Sequence, residues 1–209
     1  MKILIADDHA VVREGLKQIL AEMSGRPEIE GASNGSEVIE RIKNNDYDIV
    51  VLDISMPGKS GLEVLKELKS VKPKLPVLML SIYPEEQYAI RVLKAGASGY
   101  ITKDSAPQEL ITAVEKICNG HKYVTPELAE RLATGYSEDS TKLPHEYLSD
   151  REFEVFKMLA TGKTVNEIAE ELILSVKTVS TYRARIYEKM NLNSRSEITM
   201  YAIKNELIE

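Results

Sequence analysis

Asp7 and Asp8 follow the apolar run 2–6, and Asp53 follows the apolar run 49–52. Set side by side at the ends of parallel strands, these residues put three carboxylates into one small pocket. Like charges at that range repel strongly unless a cation intervenes. Mg²⁺ takes hard oxygen ligands and usually arrives with a phosphate. Ser81 and Lys103 end two further apolar runs and would add a hydroxyl and a positive charge. With Asp8 and Asp53 holding Mg²⁺, a carboxylate oxygen of Asp53 can attack a phosphoryl group and form an aspartyl phosphate. Lys103 would then pair with one phosphate oxygen as a point charge, and the Ser81 hydroxyl would hydrogen-bond another. Each residue alone has an ordinary reading. Asp7-Asp8 suits a helix N-cap, Ser81 a turn, Lys103 a solvated surface and Asp53 a strand ending in a turn. Only their joint position points to a phosphoryl site.

That position comes from the elements between them. Short apolar runs over 2–7, 29–33, 48–53, 76–81 and 99–103 read as strands. Amphipathic stretches over 11–23, 36–45, 62–71, 85–95 and 107–119 read as helices, separated by turn signals such as Asn34-Gly35, Pro57-Gly58 and Gly96. Strands alternating with helices predict an α/β fold with a doubly wound, five-stranded parallel sheet. The runs 49–52 and 77–80 are apolar throughout, as expected of strands covered on both faces. Ligands in such folds bind beyond the carboxyl ends of the strands, where all five candidate residues fall.

From residue 147 onward the pattern is helical, over 150–161, 165–172, 176–190 and 195–205. Ser149 with Glu152 reads as a capping box. Two helices joined by a tight turn at 174–175, the second one basic, fit a helix-turn-helix whose second helix enters a major groove. Val179, Ile186 and Met190 have the spacing of a buried stripe. Between the halves, 127–133 reads as a short helix and the polar stretch 135–144 as a linker. The predicted division is therefore 1–120, a connection over 121–146, and a small all-α domain over 147–209. Thr161-Gly-Lys-Thr164 imitates the end of a phosphate-binding loop. Position 157 is lysine instead of the required glycine, and no strand precedes it, so Gly162 reads as a helix C-cap.

The chain has 209 residues, 43% hydrophobic and 29% charged, as in soluble globular proteins. No apolar stretch approaches the roughly 18 residues that span a bilayer. A single cysteine, Cys118, fits a reducing compartment, and cytoplasm is the expected location. The net charge of −6 argues against a purely electrostatic nucleic-acid binder. It is unevenly spread: residues 1–120 hold 15 Lys+Arg against 18 Asp+Glu, and residues 147–209 hold 9 against 10. Within the latter, 175–190 carries Lys177, Arg183, Arg185 and Lys189 against Glu188 alone, and a polyanion would bind there.

The stretches Asp7-Asp8-His9-Ala-Val-Val-Arg13-Glu-Gly15-Leu16 and Val51-Leu-Asp-Ile-Ser-Met-Pro-Gly-Lys-Ser-Gly61 resemble the receiver domain of two-component response regulators, the NarL/FixJ subfamily in particular. The resemblance implies a flavodoxin-like receiver with Asp53 as phosphoacceptor. Asp7, Asp8, Asp53 and the backbone carbonyl of Ser55 would hold Mg²⁺. Ser81 and Lys103 match the family's phosphate-binding hydroxyl and lysine, and Tyr100 its aromatic switch residue. Residues 147–207 resemble the LuxR-type four-helix domain, which dimerises through its last helix. Lys177, Thr178, Ser180, Thr181, Tyr182, Ala184, Arg185 and Lys189 fall on the matching DNA-facing stretch. Several relatives carry lysines where this chain has Ser180 and Ala184, so Arg183 or Arg185 would supply charge instead, mostly to phosphates. The implied partners are a sensor histidine kinase and promoter DNA, bound as a homodimer. A Mg²⁺-dependent phosphatase or phosphotransferase is the rival reading. It needs an acid/base two residues after the nucleophile, and that position is Ser55.

Overall fold

The computed structural model describes residues 1–126, 128–130 and 143–208. The chain divides into two compact units, Met1–Gly135 and Tyr136–Glu209. The expected helix over 127–133 and linker over 135–144 fall for the most part outside the described residues.

The first unit has strands β1 (Lys2–Ala6), β2 (Glu28–Ala32), β3 (Ile49–Asp53), β4 (Val77–Ser81) and β5 (Gly99–Thr102). They form one sheet in the order β2-β1-β3-β4-β5, and every pairing is parallel. The connecting helices are α1 (Ala10–Ala21), α2 (Gly35–Asn44), α3 (Gly61–Val71), α4 (Glu85–Lys94) and α5 (Ala106–Cys118). All residues of β3 and β4 are buried. Strand side chains alternate between faces, so a strand covered on both sides is apolar at every position. Ile49 and Val51 join Ile3, Ile5, Leu16, Leu20, Leu110 and Val114 in one core beneath α1 and α5. The strand order reverses between β1 and β3, which opens a crevice at their carboxyl ends. Asp7 and Asp8 follow β1, and Asp53 ends β3, on the two sides of that crevice.

Beyond α5 the chain returns to the sheet. The Tyr123 N–H donates to the Ser98 carbonyl at 2.9 Å, and Tyr123 pairs with Gly99 as an added parallel bridge. A β-carbon on Gly99 would stand 2.8 Å from the Tyr123 carbonyl oxygen. Glycine at 99 thus lets residues assigned by sequence to the connection cover the exposed edge of β5, an edge that would otherwise present unpaired backbone groups.

The second unit has a 3₁₀ turn (Pro144–Tyr147), then α6 (Asp150–Ala160), α7 (Val165–Glu171), α8 (Val176–Met190) and α9 (Arg195–Lys204). Ser149 and Glu152 form the capping box that their spacing predicts, and Thr164 with Glu167 forms another. Gly162 has φ of 101°, and its N–H donates to the Leu159 carbonyl, closing α6 as a C-cap. Val179, Ile186 and Met190 are the buried residues of α8. No helix among the described residues is long and apolar enough to cross a membrane.

Two glycines test this packing in opposite directions. A β-carbon on Gly61 would lie 1.9 Å from the Asp53 carbonyl oxygen, whereas one on Gly15, inside α1, would meet nothing within 4 Å. Gly61→Ala should destabilise the protein by about 3 kcal/mol or more. Gly15→Ala should stabilise it by about 0.5–1 kcal/mol. Chemical denaturation of the two variants checks both signs.

Candidate functional site: a buried acidic pocket and a basic helix

Asp7 and Asp53 are buried, and Asp8 is half-buried beside them. The Lys103 Nζ lies 2.7 Å from Asp7 Oδ2 and 3.0 Å from Asp53 Oδ2. Lys103 reaches this point because its N–H donates to the Ser81 carbonyl at 2.7 Å, carrying the β5 register one residue beyond the strand. Its ammonium therefore bridges the two carboxylates as the positive partner expected of it, using the charge that would also meet a phosphate oxygen. Burial alone would lower the Lys103 pKa, but Asp53 and Asp7 outweigh it and raise it. Burial pushes Asp53 up to about 7, against the pull of Lys103 and with the help of Asp7. One cation is too few for this many carboxylates, and Asp53 takes up a proton as the pH falls through neutrality.

Three carboxylate oxygens in the pocket, Asp7 Oδ2, Asp8 Oδ1 and Asp53 Oδ1, are buried and have no hydrogen-bond partner. Two of them still feel a nearby nitrogen: Lys103 stands beside Asp7 Oδ2, and the His9 Nδ1 is 2.9 Å from Asp8 Oδ1. Ligand atoms of Asp7, Asp8 and His9 lie within 4.8 Å of one another. Buried oxygens short of partners suit a hard divalent cation, and the imidazole is the poorer donor for one. The sequence reading omitted His9. Its N–H donates to Asp7 Oδ1 at 2.8 Å, an Asx turn that fixes the acid as the chain enters α1. It also omitted Arg13, whose Nη1 donates to the Asp7 carbonyl at 2.7 Å. An imidazole directly after two acids is the local signal for the first; nothing local signals the second.

The remaining pocket residues lie on the loops that follow β3 and β4. Ser55 is in the loop over 54–60, which closes where the Gly61 N–H donates to the Ile54 carbonyl at 2.8 Å. Ser81 is fully buried, and its Oγ accepts from the Tyr83 N–H at 3.0 Å. Tyr100 is buried, with its hydroxyl donating to the Tyr83 carbonyl at 2.7 Å. Ser81 and Tyr100 thus grip the same residue of the β4–α4 loop from two sides.

In the second unit, the basic helix α8 separates the predicted contacts by phase. Positions repeat every 3.6 residues, so Lys177, Thr181, Ala184 and Arg185 fall opposite the buried Val179, Ile186 and Met190, and all four are exposed. Glu188, which the sequence reading counted only as a charge, shares that outer face. Thr178 and Ser180 flank it, while Tyr182 is half-buried. The Thr181 Oγ1 donates to the Lys177 carbonyl at 2.9 Å within the helix. Two predicted contacts are directed elsewhere. Arg183 lines a cleft of about 370 Å³ with Lys163, Asn166, Tyr187 and Arg195. Lys189 pairs with Glu152 on α6, Nζ to Oε2 2.6 Å. This pair and the Ser149 backbone N–H outweigh burial and hold the Glu152 carboxyl below its usual range.

Comparison with known proteins places both units in known families. The response regulator receiver domain family matches residues 3–115, and the luxR family of bacterial regulatory proteins matches residues 146–202. The chain is 35% identical over 208 residues to the response regulator UvrY of Escherichia coli (strain K12), covering 99% of this chain and 95% of that one. It is 38% identical over 216 residues to the oxygen regulatory protein NreC of Staphylococcus carnosus (strain TM300), with 100% of each covered. A solved structure of RcsB from Salmonella enterica serovar Typhimurium, bound to promoter rprA in the presence of phosphomimetic BeF₃⁻, aligns with a TM-score of 0.66 at 25% identity, covering 96% of this chain and 97% of that one. The chain therefore belongs to the response regulators of the NarL/FixJ type, with a receiver domain and a LuxR-family regulatory domain.

Proposed function

We propose that the chain is a cytoplasmic transcription regulator whose Asp53 is phosphorylated by a sensor histidine kinase and whose α8 then binds promoter DNA as part of a homodimer. The supporting observation is the pocket in which one lysine spans two buried carboxylates while Asp53 Oδ1 is buried without a hydrogen-bond partner. In this reading residues 1–120 are the receiver, 121–146 the connection and 147–209 the DNA-binding domain.

Asp7, Asp8, Asp53 and the Ser55 carbonyl would hold Mg²⁺, which would neutralise the phosphoryl oxygens. Asp53 Oδ1 is the attacking atom, since Oδ2 is engaged by Lys103. A P–O bond to Asp53 forms as the P–N bond of the donor phosphohistidine breaks, and the donor ring keeps the electron pair. Lys103 then turns its ammonium to a phosphoryl oxygen. Ser81 Oγ accepts from Tyr83 and keeps its own proton for another phosphoryl oxygen. Tyr83 and Tyr100 carry the change into the β4–α4 loop. Ser55 offers no titratable group at the position where a hydrolase would place its acid/base, so the phosphoryl group stays on as a signal. On α8, Lys177, Thr178, Ser180, Thr181, Ala184 and Arg185 meet the groove, with Tyr182, Arg183 and Lys189 supporting from its flanks. A domain this weakly charged gains from pairing, which doubles its phosphate contacts.

Incubation with acetyl phosphate and Mg²⁺ should add the mass of one phosphoryl group to the intact protein. Asp53→Ala should show no adduct; an undiminished adduct in the variant would remove Asp53 from its role. The pH dependence of stability gives a second test. The folded pKa of Asp53, about 7, lies above the ordinary value of 3.8. Between those values the folded state binds more protons than the unfolded one, so stability falls as pH rises and levels off above 7. In chelator, the Tm advantage of Asp53→Asn over the wild type should therefore widen from about pH 4 to about pH 7 and stay level above it. Saturating Mg²⁺ should shrink it. Thermal melts across that range check the sign, and a gap independent of pH would contradict it.

A further inference from the structure

The joint between α7 and α8 holds an apolar residue in a strained conformation with most of its surface in solvent. Ile173 has φ of 53°, in the left-handed region, immediately after the Leu172 cap of α7. Glycine or asparagine is the ordinary occupant of such a position, and a branched β-carbon is the least suited to it. The other non-glycine residues with positive φ among those described are Arg26, Asn191 and Glu206, all unbranched at Cβ. Burial does not compensate the strain, because Ile173 is 70% exposed. Val176, the first residue of α8, is 50% exposed. The two side chains bracket Ser175, whose Oγ caps α8 by accepting from the Thr178 N–H at 3.0 Å.

Resting on the DNA-binding reading above, we infer that Ile173 and Val176 form a contact for thymine C5-methyl groups in the major groove and so determine part of the sequence preference. Three considerations lead there. The residues at the start of a recognition helix are those that approach base edges, and this pair sits at that end, beside Lys177. Thymine is the base that presents an apolar group in the major groove. Two side chains rimmed by Ser175, Lys177 and Thr178 are also far too small for a protein interface, which needs about 800 Å² from each partner. A single methyl group is the right size. A strained residue that the core does not use is accounted for by a ligand that does.

The experiment uses the full chain, phosphorylated with acetyl phosphate, to select binding sites from random-sequence duplex DNA. Each thymine in the selected site is then replaced in turn by deoxyuridine, which lacks only the methyl group. Wild-type affinity should fall about fourfold at one or two thymines per half-site, the effect of one apolar group losing its contact. Ile173→Asn should lose that sensitivity while melting at or above the wild-type temperature, since asparagine relieves the backbone strain. Val176→Thr keeps the branched shape and should lose part of the sensitivity. Full deoxyuridine sensitivity in Ile173→Asn, or none in the wild type, overturns the inference. Failure of every protein to enrich any sequence would instead overturn the DNA-binding reading, and this one with it.

Discussion

The Lys103 ammonium, 2.7 Å from Asp7 and 3.0 Å from Asp53, is the contact around which the receiver unit is organised. Two buried carboxylates cannot share a crevice without a cation, and here the cation comes from the end of a third strand. Each participant is delivered by the parallel sheet: Asp7 after β1, Asp53 at the end of β3, Ser81 at the end of β4, Lys103 after β5. The crevice exists because the strand order reverses between β1 and β3. The loop after Asp53 folds back so closely that only glycine fits at 61. The arrangement is short of positive charge, since Asp53 Oδ1 is buried without a hydrogen-bond partner and burial pushes the Asp53 carboxyl up to about 7. A pocket in that condition favours added positive charge.

The second unit solves a different problem. A four-helix domain with little net charge must present a cationic surface, and it does so by phase. One stripe of α8 anchors it in the core, and the opposite stripe carries Lys177 and Arg185. Lys189 lies between these stripes and is used internally, tying the end of α8 to the Glu152 capping box at the start of α6. The cap and the cross-helix pair share one carboxylate, so the orientation of α8 depends on the same residue that starts α6.

Much of this was legible in the chain. Apolar runs of strand length, each ending in a polar residue, located the strand ends to within a residue, and Val179, Ile186 and Met190 located the buried side of α8. What could not be read was side-chain direction. Lys103 is legible as the positive partner of the acids, but the span of its one ammonium across both Asp7 and Asp53 is not. Arg183 and Lys189 counted as basic residues of a basic helix, yet helical phase and a partner 37 residues away turn them from the outer face. His9 acts on Asp7 through its own backbone N–H and Arg13 through the Asp7 carbonyl, and backbone groups carry no residue-type signature. The strain at Ile173 is a property of φ, invisible in the composition of a turn.

The central claim is that a charge added at Asp53 changes what α8 binds, and DNA affinity before and after phosphorylation tests it most directly. The probe is the duplex that the wild-type chain selects from a random pool, titrated against wild type and Asp53→Asn with and without acetyl phosphate and Mg²⁺. Phosphorylation should tighten wild-type binding by about tenfold or more, roughly 1.4 kcal/mol of coupling, and leave Asp53→Asn unchanged. Equal affinity of phosphorylated and unphosphorylated wild type, with Asp53 demonstrably modified, would contradict the account.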